Sequence, residues 1–116
     1  TVAYGVVSGR VVSAPIASKL PTISGVAKSS KGLKSTLGTW TGSTGITYKY
    51  QWMRCTASYK AGSLGGAKCS VISKATKSTY TLTAADVGKY VRLVVTATNI
   101  IGKSEAHTAT TGKVAK

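Results

Sequence analysis

The sequence predicts an all-β protein, an antiparallel β-sandwich, and three observations carry that prediction. Short runs rich in Val, Ile, Thr and Tyr alternate with clusters of Gly, Ser and Lys at the spacing of strands joined by turns. The run Thr47 to Cys55 alternates strictly, with Tyr48, Tyr50, Trp52 and Arg54 on one face and Thr47, Lys49, Gln51, Met53 and Cys55 on the other. At 116 residues the chain has the size of one domain, and its composition speaks against long helices.

Residues 1–20 are read as an N-terminal extension or linker and residues 21–116 as the domain. Within the extension, Ala3 to Val11 echoes Ala106 to Val114, sharing Ala, Gly and Val at fixed offsets. Three readings of that echo stand side by side. Residues 1–14 are the last strand of a preceding repeat, with Pro15 to Pro21 as the joint; or a strand that pairs with a neighbouring copy; or a chance similarity between two low-complexity β segments. Thr22 to Val26 follows as a first strand, and Leu33 to Leu37 as a second after the turn Lys28 to Gly32. Gly38 breaks the pattern before Trp40. Thr47 to Cys55 is the clearest strand, with its aromatic face toward the core and Cys55 pointing away from it. Cys69 to Ser73 and Thr79 to Thr83 are two more short strands. Ala84 to Gly88 is a tight corner in which Asp86 accepts backbone N–H bonds and Gly88 takes a positive φ. Lys89 to Asn99 reads as a long strand with Val91, Leu93, Val95 and Ala97 facing in, and Ser104 to Val114 as the last. Trp40, Tyr50, Trp52, Tyr80, Val91, Leu93 and Val95 form the expected core of a chain without Phe.

Cys55 and Cys69 enclose 13 residues that include Gly62, Gly65 and Gly66. A disulfide is the favoured reading, and it implies an oxidising compartment. Two reduced thiols remain the alternative. Zinc fits poorly, since a tetrahedral site wants four ligands and His107 is the only other soft donor.

Several of these pieces occur together and in order: Pro21 to Gly25, Gly38-Thr-Trp40, Tyr50-Gln-Trp-Met-Arg-Cys55, Cys69 with Ile72, Thr79-Tyr-Thr-Leu-Thr-Ala-Ala-Asp-Val-Gly88, and Val95-Thr-Ala-Thr-Asn99 with Gly102. In this the chain resembles the immunoglobulin-like repeats of secreted and cell-surface proteins of actinobacteria and of their phages, over about Pro21 to Val114. The resemblance implies an immunoglobulin-like sandwich, a Cys55–Cys69 bond and a structural or adhesive role without catalysis. Trp52 takes the place of the buried tryptophan on the third strand. Asp86 to Gly88 takes the place of the corner before the sixth. Tyr90 stands where a tyrosine corner would put its ring. Arg92 two residues later, and an apolar face made by Val91, Leu93 and Val95, set Tyr90 on the opposite phase.

Charge bounds the function. Lys and Arg number 16, thirteen of them Lys, against the two acids Asp86 and Glu105, for a formal charge of +14. Two carboxylates and one His leave little material for acid–base or nucleophilic chemistry, so no catalytic residue is assigned. An intramolecular Lys–Asn bond would have to use Asn99 with an acid such as Glu105. Calcium lacks oxygen ligands, and no cofactor or metal site is expected. No apolar run approaches the ~20 residues of a membrane span. Such a charge attracts polyanions by salt-sensitive, largely non-specific forces. Lys28, Lys31 and Lys34 group around one predicted turn, Lys74 and Lys77 around another, and Lys60 and Lys68 lie in the cysteine loop, where Tyr59 is the aromatic expected to be exposed. The expected function is a non-catalytic, basic module that adheres to anionic polymer or acidic protein surfaces, on the cell surface, outside the cell or on a virion. The first alternative is a structural protomer of a phage particle or surface filament that self-associates through residues 1–20. The second is a non-specific nucleic-acid binder. Neutral solubilisation by surface Lys is the bland reading.

Overall fold

The computed structural model describes residues 13–42, 45–63 and 68–116. Among them the regular elements are nine strands and one 3-10 turn. The strands are β1 (Ile16–Lys19), β2 (Ile23–Gly25), β3 (Gly32–Ser35), β4 (Thr39–Thr41), β5 (Thr47–Cys55), β6 (Cys69–Val71), β7 (Thr79–Thr81), β8 (Tyr90–Thr98) and β9 (Lys103–His107). The 3-10 turn, Ala84–Asp86, lies between β7 and β8. One sheet has the order β9-β8-β5-β6, a second β2-β3-β7, and β1 pairs with β4 alone. Every ladder is antiparallel.

Register explains where the core lies. In the β5–β8 ladder Tyr50 faces Val95, Trp52 faces Leu93 and Arg54 faces Val91. Side chains alternate across a sheet with period two, so the aromatic face of β5 and the aliphatic face of β8 form one surface. That surface packs with Leu33 of β3 and with Ile72, Leu82 and Val114, and Ile23, Leu37, Trp40, Tyr48, Tyr50 and Tyr80 close its margin. Trp52 stacks on Tyr80 of β7 with ring centroids 5.6 Å apart. Its indole N–H donates to the Lys77 carbonyl at 2.7 Å. The two larger sheets thus share one apolar core, an arrangement compatible with a β-sandwich. Full burial of each large aliphatic side chain in such a core contributes roughly 1.5–3 kcal/mol. Trp40 is half-buried, held by its indole bond to the Leu37 carbonyl at 2.8 Å and tilted against Tyr48.

Thr47 to Cys55 forms a strand over the full range read from its alternation. Elsewhere the structure differs from the sequence reading. The stretch Pro15 to Pro21, read as a joint, carries β1, whose Ile16 and Ala17 face Thr41 and Trp40 of β4. Gly38 enables this pairing: at φ +80° it turns the chain beside Lys19 and Pro21, and a Cβ there would collide with the Lys19 carbonyl. Of residues 1–14, read as a repeat strand or an intersubunit strand, residues 1–12 lie outside the described residues.

The last strand ends at His107, short of Val114. Beyond it the chain still follows β8, but side chains replace ladder carbonyls. The Leu93 N–H donates to Thr108 Oγ1 at 3.0 Å and the Val91 N–H to Thr111 Oγ1 at 3.2 Å. The segment then docks Val114 into the core and bridges Ala115 to Lys28 in parallel.

Cys55 is bonded to Cys69 across the β5–β6 ladder, which makes the disulfide a hairpin staple on the face opposite Trp52. That face is not open to solvent, however, because Cys55, Arg92, Val94 and His107 on it are all buried. The cysteine loop folds back over it: the Gly62 N–H donates to the His107 carbonyl and Arg92 reaches the Lys60 carbonyl.

With 14 residues of sequence separation between the cysteines, the chain-entropy relation gives a stabilisation of about 3 kcal/mol. The Cys55→Ala/Cys69→Ala pair is therefore expected to lower the free energy of unfolding in urea by about that amount. An unchanged midpoint would show that the loop is held by its other contacts alone.

Candidate polyanion interface

Asp86 is the centre from which the charged end of the molecule is built. It sits in the 3-10 turn with no exposed surface, and four donors converge on its carboxylate. Arg54 Nε lies 2.6 Å from Oδ1, and on Oδ2 the Tyr80 hydroxyl donates at 2.7 Å, the Thr83 N–H at 2.9 Å and the Thr83 hydroxyl at 3.2 Å. The sequence reading expected backbone N–H bonds there; the additional partners come from β5 and β7. A tyrosine does dock on this corner, but it is Tyr80 rather than the half-buried Tyr90. Gly88 follows with φ +80°, the conformation expected of it. Burial opposes the negative charge of Asp86, but the Thr83 N–H, the Tyr80 hydroxyl and Arg54 outweigh it and hold the carboxyl below its ordinary value. Burial and the adjacent carboxylate raise the Tyr80 phenol.

Around this corner the fold collects cations. Lys28 bridges to Ala115, which places Lys113 and Lys116 beside the Lys28–Lys31 turn. The Val114 N–H donates to the Lys89 carbonyl, and the Thr56 N–H to the Lys68 carbonyl. Lys28, Lys31, Lys68, Lys89, Lys113, Lys116 and Arg54 therefore share one end of the molecule. An open groove of about 310 Å³, lined by Arg54, Thr56, Lys68, Cys69, Ser70 and Lys89, lies within it. Every lysine except the half-buried Lys89 is exposed. Of the two acids Asp86 is buried, so Glu105 is the only exposed side-chain carboxylate. Among the described residues the one ion pair is Arg54–Asp86.

The remaining candidates lie elsewhere. Lys34 projects from β3 on the outer face of the smaller sheet, opposite buried Leu33. Lys74 and Lys77 line a shallow depression beside β7. Lys60 is exposed on the cysteine loop. Tyr59, expected to be exposed, is half-buried. Its ring lies under the Arg92 guanidinium, 5.4 Å from Cζ to centroid, and its backbone pairs with Thr110. Arg92 itself has no exposed surface, although its phase on β8 reads as solvent-facing. Its Nε and Nη2 donate to the Thr108 carbonyl at 3.0 and 2.6 Å, while Nη1 is buried without a partner. Burial lowers the Arg92 pKa against the raising influence of Tyr59. Burial and the neighbouring Arg92 charge likewise lower His107, opposed by Glu105. Asn99 is committed to a turn, accepting the Ile101 and Gly102 N–H groups and donating to the Ser13 carbonyl. No group of three or more His, Cys, Asp and Glu side chains able to hold a metal occurs among the described residues. No described helix is long and apolar enough to cross a membrane.

Two titrations follow from these shifts. Both groups are depressed in the folded chain, so each contributes stability above its ordinary pKa that is lost as pH falls through its folded value. Thermal stability is expected to fall in two stages as pH is lowered, first below 6.5 through His107 and then below 3.8 through Asp86. His107→Gln should remove the upper stage and leave the lower, read as Tm against pH. Asp86→Asn should cost roughly 1–3 kcal/mol near neutral pH by removing the buried acceptor of the Arg54, Tyr80 and Thr83 donors. Comparison with known proteins adds nothing to this reading, since no family model, no curated protein and no solved structure matches the chain.

Proposed function

We propose that this chain is a non-catalytic, immunoglobulin-like surface module whose basic end docks on anionic envelope or particle polymers. The observation that carries this reading is the disposition of charge. Twelve exposed lysines face solvent with Glu105 as the sole exposed acid, and the fold gathers six lysines and Arg54 at one end. Solubility asks for a net charge of only about 2–8 on a small domain, well short of the +14 here. The immunoglobulin-like assignment is supported by the strand order β9-β8-β5-β6 against β2-β3-β7, with Trp52 at the centre of the core and the corner at Asp86. Clustered Lys on a rigid sheet end suits a polymer of repeating negative charge, because it needs no base- or sugar-specific geometry.

A second reading, a structural protomer of a particle or filament, is favoured by one feature at the opposite end. Ile100 is 92% exposed and Ile101 47% exposed on the β8–β9 turn. The same turn is bonded through Asn99 to Ser13, where the N-terminal segment joins the domain. An exposed apolar tip is what contact between copies would use.

Retention on an immobilised anionic wall polymer, compared with the matched neutral resin, separates these readings. The module is expected to stay monomeric and to elute from the anionic resin only at raised salt. The log–log salt slope should be roughly −3 or steeper, from four or more contacts at about 0.7–0.9 each. Elution of a monomer from both resins at the same salt would contradict it, and elution as an oligomer would favour the protomer. Tighter, equally salt-steep binding to duplex DNA would favour the nucleic-acid binder.

A further inference from the structure

The groove beside the disulfide differs in kind from the lysine coat around it. Its lining follows from strand register. In the β5–β6 ladder Arg54 faces Ser70 and Cys55 faces Cys69. Thr56 and Lys68 are the next pair, joined by the Thr56 N–H to Lys68 carbonyl bond of 2.9 Å. With period-two alternation, Arg54, Thr56, Lys68 and Ser70 all fall on one face, and the disulfide falls on the other. Lys89 precedes Tyr90, which faces Cys55, so it shares the phase of Val91 and Leu93 and joins the same face. This is the face that carries Trp52 and the core. At the end of the sheet the inward stripe therefore changes abruptly from apolar to three cations and two hydroxyls around a groove of about 310 Å³.

Three cations on one face repel each other, and their placement there calls for an anion. Of the chain's two acids, the one beside the groove is already committed: Asp86 is fully buried and holds Arg54 by its Nε edge. That contact fixes the guanidinium in the groove wall, while Lys68 and Lys89 remain as uncompensated charges. The five donors come from different directions: two from β5 and its extension, two from β6 and its approach, one from the entry to β8. A planar carboxylate has two oxygens to offer such a set. A tetrahedral oxyanion has three or four, and so uses more of the donors at once.

The geometry points to this groove as a discrete subsite for a tetrahedral oxyanion, a phosphate or sulfate ester group, with Arg54, Lys68 and Lys89 as its charged contacts and Ser70 and Thr56 as hydroxyl donors, Thr56 giving up its long 3.5 Å bond to the Lys68 carbonyl. It rests on the reading of the chain as a polyanion-docking module, and it names where one group of the polymer seats. Walls on both sides of Cys55–Cys69 belong to the site, so the disulfide holds its width.

The test is an amide-resolved NMR titration of the full chain with sodium phosphate, sodium sulfate and sodium acetate at constant ionic strength. Phosphate and sulfate are expected to shift Thr56, Lys68, Ser70 and Lys89 along saturating curves, with acetate at least about fivefold weaker. Lys68→Gln/Lys89→Gln should weaken phosphate about tenfold or more, while Lys34→Gln/Lys77→Gln, equal in charge change, stays within about twofold. Preservation of the remaining amide spectrum shows that each variant is folded. Phosphate tighter than sulfate assigns a phosphate ester; equal affinity assigns the oxyanion class as a whole. Equal response to acetate, unsaturated shifts spread over Lys28, Lys34 and Lys113, or equal effects of the two double variants would overturn the subsite. Polymer retention lost equally in the two double variants would overturn it too and leave the module standing. A wild-type chain that saturates with phosphate but is not retained on polymer would overturn the module and keep the groove.

Discussion

One buried carboxylate braces the charged end of this protein. Asp86 takes Arg54 from the larger sheet, Tyr80 from the smaller sheet and Thr83 from the corner between them. A carboxylate moved out of water is tolerable only when its lone pairs are satisfied and its charge is answered, and here both conditions are met by groups from separate elements. The corner that delivers the chain into β8 is thereby tied to β5 and β7 at once, and the stack of Tyr80 on Trp52 continues the same tie into the apolar core. The arrangement also removes half of the chain's acidic charge from the surface. What faces solvent is a lysine coat with Glu105 as its one acid, and the end beneath Asp86 is where the coat is densest.

A second charged group is buried on the other side of the larger sheet without an acid to meet it. Arg92 is held by two bonds to the Thr108 carbonyl, a longer one to Lys60 and the face of Tyr59. The attraction of a guanidinium to an aromatic face grows when water is excluded, which is the situation here. The result is that the described part of the cysteine loop is tied to the sheet: Tyr59, Lys60 and Gly62 lie over Arg92 and His107, and Lys68 lines the groove. The disulfide, the loop cover and the groove are one construction.

How much of this the sequence carried depends on how local each cause is. The alternation of Thr47 to Cys55 is set within one strand, and its range and inward face were legible residue by residue. The apolar phase of Val91, Leu93 and Val95 was legible for the same reason, and so was the positive φ of Gly88. β1 and β4 were not, because their pairing depends on the turn at Gly38 and not on a pattern within either strand. The burial of Arg92 was not legible, since a cation on the polar phase of a strand ordinarily faces solvent; its cover comes from Tyr59 and Lys60, more than thirty residues away. Within the predicted group of Lys28, Lys31 and Lys34, Lys34 stands on a sheet face of β3 while Lys28 and Lys31 lie on the turn before it. The grouping of Lys28 with Lys113 and Lys116 arose from a parallel bridge that no local pattern announces. Asp86 was placed in its corner by local turn chemistry, but its partner Arg54 stands 32 residues earlier.

The central claim is that the position of the lysines, and not their number alone, directs this protein to polyanions. Two variants of equal net charge test it: Lys28→Gln/Lys31→Gln/Lys89→Gln/Lys113→Gln at the basic end, and Lys19→Gln/Lys49→Gln/Lys74→Gln/Lys103→Gln away from it. Affinity for an anionic wall polymer is measured across a salt series for both. The account predicts that the first set loses about tenfold or more in affinity and flattens the salt slope, while the second stays within about threefold of the parent chain. Equal losses in the two variants would contradict it, since only total charge would then matter.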